Sequence, residues 1–207
     1  MKKFKGILIA ALLACGTLTA SAQHKSDLRF GVTAGMNVAR VTDLDAESRI
    51  GFNLGARVDY GITDNFYVNG ALLFTQKGYK LDSEDVYGAR GTVKGNPGYL
   101  EIPIHVGYRY HLDDDLNLFL ETGPYLAFGV CGKTKVEYSV LGQEGSDDDD
   151  YFDGGGARTF DGGWGLRFGV EVSGFQVHMA YDYGFSKVWE DTSCHNGNFS
   201  VGLTYMF

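Results

Sequence analysis

The sequence predicts an all-β fold, an eight-stranded antiparallel up-and-down barrel. Three observations carry this expectation. Apolar residues alternate strictly with small or polar ones in eight separate stretches, the period-two pattern of strands. The connections between these stretches alternate short and long without exception. No useful length of the chain after its N-terminal segment shows the 3.6-residue period of a helix. Composition agrees. Of 207 residues, 44% are apolar, 14% are aromatic and 30 are glycine, roughly twice ordinary glycine usage. Three prolines and three cysteines exclude collagen-like, proline-rich and disulfide-framework classes.

The N-terminal segment stands apart. Lys2, Lys3 and Lys5 precede an uncharged apolar run from Gly6 to Leu18, and Ala20-Ser21-Ala22 supplies small residues where a signal peptidase reads. Residues 1–22 are therefore expected to be a signal peptide, and 23–207 the barrel. The apolar run falls short of the roughly 20 residues a membrane helix needs. Leu12-Leu13-Ala14-Cys15 offers a competing reading, a lipoprotein box with Cys15 lipidated. Removal of 1–22 takes three lysines with it and leaves 15 basic against 26 acidic residues, a net charge of −11. Such a chain repels phosphate, which excludes nucleic acid as a partner.

The strands follow in order. The first spans about 28–38, with Phe30, Val32, Ala34 and Met36 on its apolar face. The second sets Phe52, Leu54, Ala56, Val58 and Tyr60 against Gly51, Asn53, Gly55, Arg57 and Asp59. The third covers about 65–80 and the fourth about 98–110, the latter with Leu100, Ile102, Ile104, Val106 and Tyr108. The fifth covers about 115–131, the sixth 162–173 and the seventh 175–188. The last ends the chain with Phe199, Val201, Leu203, Tyr205 and Phe207 on one face. Short turns are expected at Gly61–Asp64, His111–Asp114 and Ser173–Gly174, and long loops at about 39–49, 81–97, 132–161 and 189–197. Outer-membrane barrels have this asymmetry, with short turns on the periplasmic side and long loops outside.

Which face is apolar separates two kinds of barrel. A soluble lipocalin-like carrier hides its apolar face and shows charge to water. A membrane barrel does the reverse, and eight strands leave almost no lumen. Here the non-apolar face is rich in Gly, Ala, Asn and Ser with sparse charge, which suits a crowded interior. Tyr60, Phe66, Tyr108, Tyr110, Phe175, Tyr205 and Phe207 cluster at strand ends beside the short turns, where an interfacial aromatic girdle belongs.

Short motifs in this order carry a resemblance. They are Phe74-Thr75-Gln76-Lys77-Gly78, Tyr99-Leu100-Glu101-Ile102-Pro103, Gly123-Pro124-Tyr125 and Tyr181-Asp182-Tyr183-Gly184-Phe185, followed by the alternating strand that ends in Phe207. The chain resembles the PorT-type outer-membrane β-barrel domain family, a relative in shape of small OmpA- and OmpX-like eight-stranded barrels. The resemblance implies an outer-membrane address after export. It also implies outer-membrane lipid as surroundings and insertion by the barrel-assembly machinery. PorT itself is associated with a secretion system, and that role is not carried over to this chain.

The face opposite the apolar one collects charge: Arg57, Asp59, Lys77, Glu101, Arg109, Glu121, Arg167, Glu171 and Asp182, with His105 and His178 nearby. In so narrow a space these groups must pair. An ion-pair network plugging the barrel is the main expectation, and a gate or proton-linked switch the alternative. The near balance of sign argues against a strongly ion-selective pore. The long loop's Asp147, Asp148, Asp149 and Asp150 could hold a divalent cation, although the spacing fits no calcium-loop pattern, and a solvated loop is the simpler expectation. Cys131 and Cys194 fall on the same side of the membrane and are a candidate disulfide, free thiols being the alternative. Asp191-Thr192-Ser193-Cys194-His195 contains a nucleophile, a base and a carboxylate, the raw material of a rim hydrolase or acyltransferase, although adjacency in sequence is not catalytic geometry. No phosphate loop or zinc spacing is present, and no cofactor is expected. The sequence thus points to a monomeric barrel with a structural or interaction role, through its outer loops, toward an extracellular or periplasmic partner. A narrow passive channel and a soluble carrier are the alternatives.

Overall fold

The computed structural model describes residues 28–41, 47–84, 90–140, 143–152, 158–187 and 195–207. Ten strands run through them: β1 (Leu28–Val41), β2 (Glu47–Gly61), β3 (Phe66–Gln76), β4 (Tyr79–Glu84), β5 (Arg90–His111), β6 (Leu116–Val140), β7 (Gln143–Asp150), β8 (Phe160–Val172), β9 (Phe175–Lys187) and β10 (His195–Met206). Every described pairing is antiparallel, and the described residues contain no helix. Eight strands close a ring in the order β1, β2, β3, β5, β6, β8, β9, β10, and β10 returns to β1 with Gly31 opposite Met206 and Val41 opposite Asn196. The remaining two are extensions. β4 continues β3 past a break at Lys77–Gly78 and pairs with the first residues of β5. β7 folds back along the last third of β6.

The three short turns lie where the sequence puts them. Ile62 to Asn65 and Leu112 to Asp115 bend, and Ser173–Gly174 is a two-residue turn. At the first, the Thr63 hydroxyl accepts from the Phe66 N–H at 2.9 Å and fixes the reversal locally. The long connections depart from expectation. Much of 81–97 and 132–161 is not loop but strand. Arg90–Gly95 pairs with β4, Arg90–Asn96 pairs with Lys133–Ser139, and Gln143–Asp150 pairs with Val140–Lys133. Two hairpin arms thus continue the sheet beyond the barrel. The reason is continuity: once β5 and β6 are paired in the barrel, extending the ladder satisfies each further N–H and C=O without a separate nucleus.

The faces are inverted relative to a water-soluble protein. Among the described residues, 18 buried side chains are polar or charged and eight are apolar. The large apolar side chains point outward, from Val32, Met36 and Leu54 through Ile104, Leu120, Phe168, Val177 and Leu203. In water, so much exposed apolar surface would drive aggregation; in hydrocarbon it costs nothing, and the ring leaves no strand edge unpaired there. Trp164 shows the discipline this solvent imposes. Its indole N–H, on the outer face, donates to the Thr122 hydroxyl at 2.7 Å, and that hydroxyl donates to the Gly165 carbonyl at 3.0 Å. The turn-side girdle is present: Tyr60, Phe66, Tyr108, Tyr110, Phe175, Tyr205 and Phe207 are all exposed. Phe66 meets Tyr108 edge-on at 4.9 Å, and Phe175 lies 4.7 Å from Tyr205.

Candidate functional site

The polar side chains converge inside the ring in two groups, one toward the short turns and one toward the arms. At the turn end, Arg57 on β2 is fully buried. Its Nε donates to Asp59 at 2.6 Å, and its two terminal nitrogens donate to Glu121 across the lumen on β6 at 2.5 and 3.0 Å. Fork-to-fork geometry of this kind gives an arginine–carboxylate pair both strength and a fixed orientation. The Tyr67 hydroxyl donates to the same carboxylate at 2.6 Å. It reaches that far because Gly107 lies against its ring; a Cβ there would collide with the ring carbons. Arg167 adds a longer contact to Glu121 at 3.9 Å and donates to the Thr204 hydroxyl, which donates to Thr33 on β1. Nearer the turns, Glu171 accepts from Arg29 and Gln176 at 2.8 Å each, and Arg109 lies 3.4 Å from both Asp59 and Glu171. Arg109 also stacks over the Tyr67 ring at 4.5 Å.

At the arm end, Lys77 is buried 3.1 Å from Glu101 and 3.7 Å from Asp161. Its ammonium stands over the rings of Tyr99 and Tyr125, at 5.2 and 5.1 Å. Asp161 accepts from the Tyr125 hydroxyl at 3.2 Å and from Asn196 at 2.9 Å. Asp182 accepts from Asn198 at 3.5 Å. Between the two groups lies a cavity of about 40 Å³, lined by His105, Asn69, Thr75, Arg167, His178 and Asn198 among others. That is room for a few water molecules. A vestibule of about 390 Å³, walled by Arg29, Tyr67, Arg109 and His111, opens below the turn-end group.

The structure therefore gathers every charged residue assigned to the interior. Arg57, Asp59, Arg109, Glu121, Arg167 and Glu171 form one cluster, and Glu101 and Asp182 belong to the other with Lys77. Sequence reasoning missed Arg29 and Asp161, which lie at the very ends of their strands, and the inward tyrosines Tyr67, Tyr99 and Tyr125. The signal for the tyrosines was there: each occupies the small-or-polar parity of its strand.

The remaining candidates are placed as follows. Asp147, Asp148, Asp149 and Asp150 lie in β7, with Lys135 opposite Asp148 and Lys133 opposite Asp150. Among the described residues, no three carboxylate, imidazole or thiol groups converge on a metal position. Cys131 is an exposed free cysteine, and Cys194 lies outside the described residues. A bulge decides the orientation of Cys131. Tyr99 faces Gly129 while Gly98 faces Cys131, so Val130 is the extra residue, and beyond it Cys131, Lys133 and Lys135 are exposed where Tyr125 and Ala127 are buried. Of the rim pentad, Asp191 to Cys194 also lie outside; His195 opens β10 and stacks on Tyr183 at 5.8 Å. The signal peptide, the lipidation reading at Cys15 included, is outside the described residues as well.

A search of curated proteins finds no match to the chain. Similar solved structures include Ail, the attachment invasion locus protein of Yersinia pestis, crystallised with the heparin analogue sucrose octasulfate. It is 19% identical, with a TM-score of 0.40, covering 87% of this chain and 99% of that one. Neisserial surface protein A is 16% identical with a TM-score of 0.46, covering 88% and 98%. The outer membrane enzyme PagL is 12% identical with a TM-score of 0.42, covering 84% and 98%. The description outer membrane protein beta-barrel domain matches residues 20–190, most of the chain. A closed ring, an apolar exterior and a paired polar interior are what such a domain requires, and the chain belongs to the outer membrane protein beta-barrel domain family, with the outer membrane as its location.

Proposed function

We propose that this barrel is a plugged, monomeric anchor that presents its two hairpin arms to a positively charged partner outside the cell. The observation that carries the reading is the contrast between a closed lumen and an extended exterior. Arg57 and Glu121 meet across the barrel with no solvent exposure, whereas β6 and β7 project a ladder whose free strand carries Glu144 and Asp147 to Asp150. A net charge of −11 after signal-peptide removal favours basic partners and disfavours a second copy of the chain. The short motifs that resemble the PorT-type family fit the same picture, with no secretion role attached. The function proposed is non-enzymatic.

Two measurements test this. Planar-bilayer recording of the refolded barrel should show no conductance steps; regular steps would return the narrow-channel reading to first place. Surface-immobilised barrel should capture polylysine but not polyglutamate, and replacing Asp147 to Asp150 by asparagine should remove most of that capture. Equal capture by the asparagine variant would overturn the role of the arm.

A further inference from the structure

The two interior groups are not equivalent in charge. The arm-end group holds three carboxylates, Glu101 and Asp161 buried and Asp182 half-buried, and among the described residues Lys77 is the cation that pairs with any of them. Lys77 holds its place by ionic and cation–π contacts rather than by hydrogen bonds. Its contacts with Glu101 and Asp161 lack hydrogen-bond geometry, so its Nζ and Glu101 Oε2 have no hydrogen-bond partner. Asp161 Oδ1, on a residue only 3% exposed, and Thr75 Oγ1, on one only 1% exposed, have none either. The site therefore offers more acceptor oxygens than its lysine satisfies. Its walls are the faces of Tyr99 and Tyr125, and carboxylates together with aromatic faces are what a protonated amine seeks once it leaves water.

The site also has a roof and a tether. Directly after β7, Tyr151 is buried and Phe152 meets Tyr99 edge-on at 5.7 Å. The far end of the Phe152 ring lies against Gly129, where a Cβ would collide with it. The tether is Lys77 itself, placed at the break between β3 and β4 and anchored by its N–H to the Pro97 carbonyl at 2.9 Å. We propose that the extracellular mouth of the barrel is a binding site for a protonated primary amine, filled in the resting protein by the chain's own Lys77. A lysine side chain of an approaching partner, or a free alkylammonium, would compete with that tethered occupant. Failure of arm capture would leave this site untouched, because the amine test below involves no partner.

The test uses the full mature chain refolded in detergent micelles, with Lys77→Ala to vacate the site and ethylammonium as the probe. The readout is the urea midpoint of unfolding. In Lys77→Ala the midpoint should rise saturably with ethylammonium; the unmodified chain should need about tenfold more or greater, because its tethered lysine competes at high effective concentration. Tetramethylammonium, which can meet the aromatic faces but has no N–H to donate to the carboxylates, should shift the midpoint less. No response in Lys77→Ala, an identical response in the unmodified chain, or an equal response to tetramethylammonium would each overturn the proposal. If Lys77→Ala does not fold alone, refolding in ethylammonium becomes the readout: recovery supports the site, and failure with every primary amine sinks it.

Discussion

Two ion pairs of nearly the same length sit in very different parts of this molecule. Arg57 and Glu121 meet at 2.5 Å inside the barrel with neither side chain exposed, while Lys94 and Glu137 meet at 2.7 Å on the arm with both about one-third exposed. Distance alone would rank them together. Solvation separates them. On the arm, water solvates each partner whether or not the pair forms, so the contact is replaceable. In the barrel, each partner is tolerable only because the other is present, and losing one leaves a charge with nowhere to go. A barrel that turns its polar residues inward is thus held by obligatory pairs, where a soluble protein is held by apolar packing.

The sharpest way to break the comparison is to remove one buried partner. Arg57→Ala should cost about 3–5 kcal/mol in urea unfolding from micelles. Arg57→Met combined with Glu121→Leu should recover part of that loss, because neither charge remains to be stranded; a double variant worse than the single one would contradict the account. Next in size is Gly107→Ala. The added Cβ displaces the Tyr67 ring and draws its hydroxyl off Glu121, at about 1–3 kcal/mol for the overpacking. Tyr67→Phe, which keeps the ring and drops the hydrogen bond, should cost less than Gly107→Ala.

The arm supplies the smaller effects. Lys94→Ala should leave the unfolding midpoint unchanged and speed amide exchange only within the ladder of β5, β6 and β7. Slower exchange, or a shifted midpoint, would count against a replaceable contact. The Glu137 carboxyl is held below the usual carboxylate range, first by the hydrogen bond from Lys94 and then by that from Lys135. A depressed carboxyl contributes order that is present above its ordinary pKa and lost as pH falls through its folded value. Arm protection, taken relative to the intrinsic exchange rate at each pH, should therefore hold above the ordinary carboxylate range and fall progressively as pH drops through that range and below it. Protection lost already at neutral pH would refute this.

How much of this was legible in the sequence depends on which physical signal each part carries. Parity is a strong signal. The alternation that sets Phe52, Leu54 and Ala56 against Asn53, Gly55 and Arg57 identified the staves, the lipid face and the interior charges together, because a one-residue slip would put Arg57 in hydrocarbon. The arms carried no such signal. Gln143-Glu144-Gly145-Ser146 and the aspartates after it have poor strand propensity, and they pair because β6 is already extended beside them. The inward tyrosines were obscured by chemistry rather than parity: an aromatic suits the membrane interface as well as the interior, and only Gly107 and Glu121 show why Tyr67 goes inward. The bulge at Val130 is a matter of register between two strands, which no single-strand pattern reveals.

The closure of β1 on β10 has a consequence for how the protein comes into being. The Thr33–Thr204 hydrogen bond joins residues 171 positions apart, so the first stave cannot seal until the last is in place. Until β10 docks, both flanks of the sheet are open and the polar interior is exposed to one side. Sealing is thus all-or-none with respect to β10: a chain without that strand holds nearly all of its side-chain chemistry and none of its enclosure. Contacts this distant in sequence make folding slow, and they put the burden of keeping the unfinished chain apart from its neighbours on whatever escorts it across the periplasm.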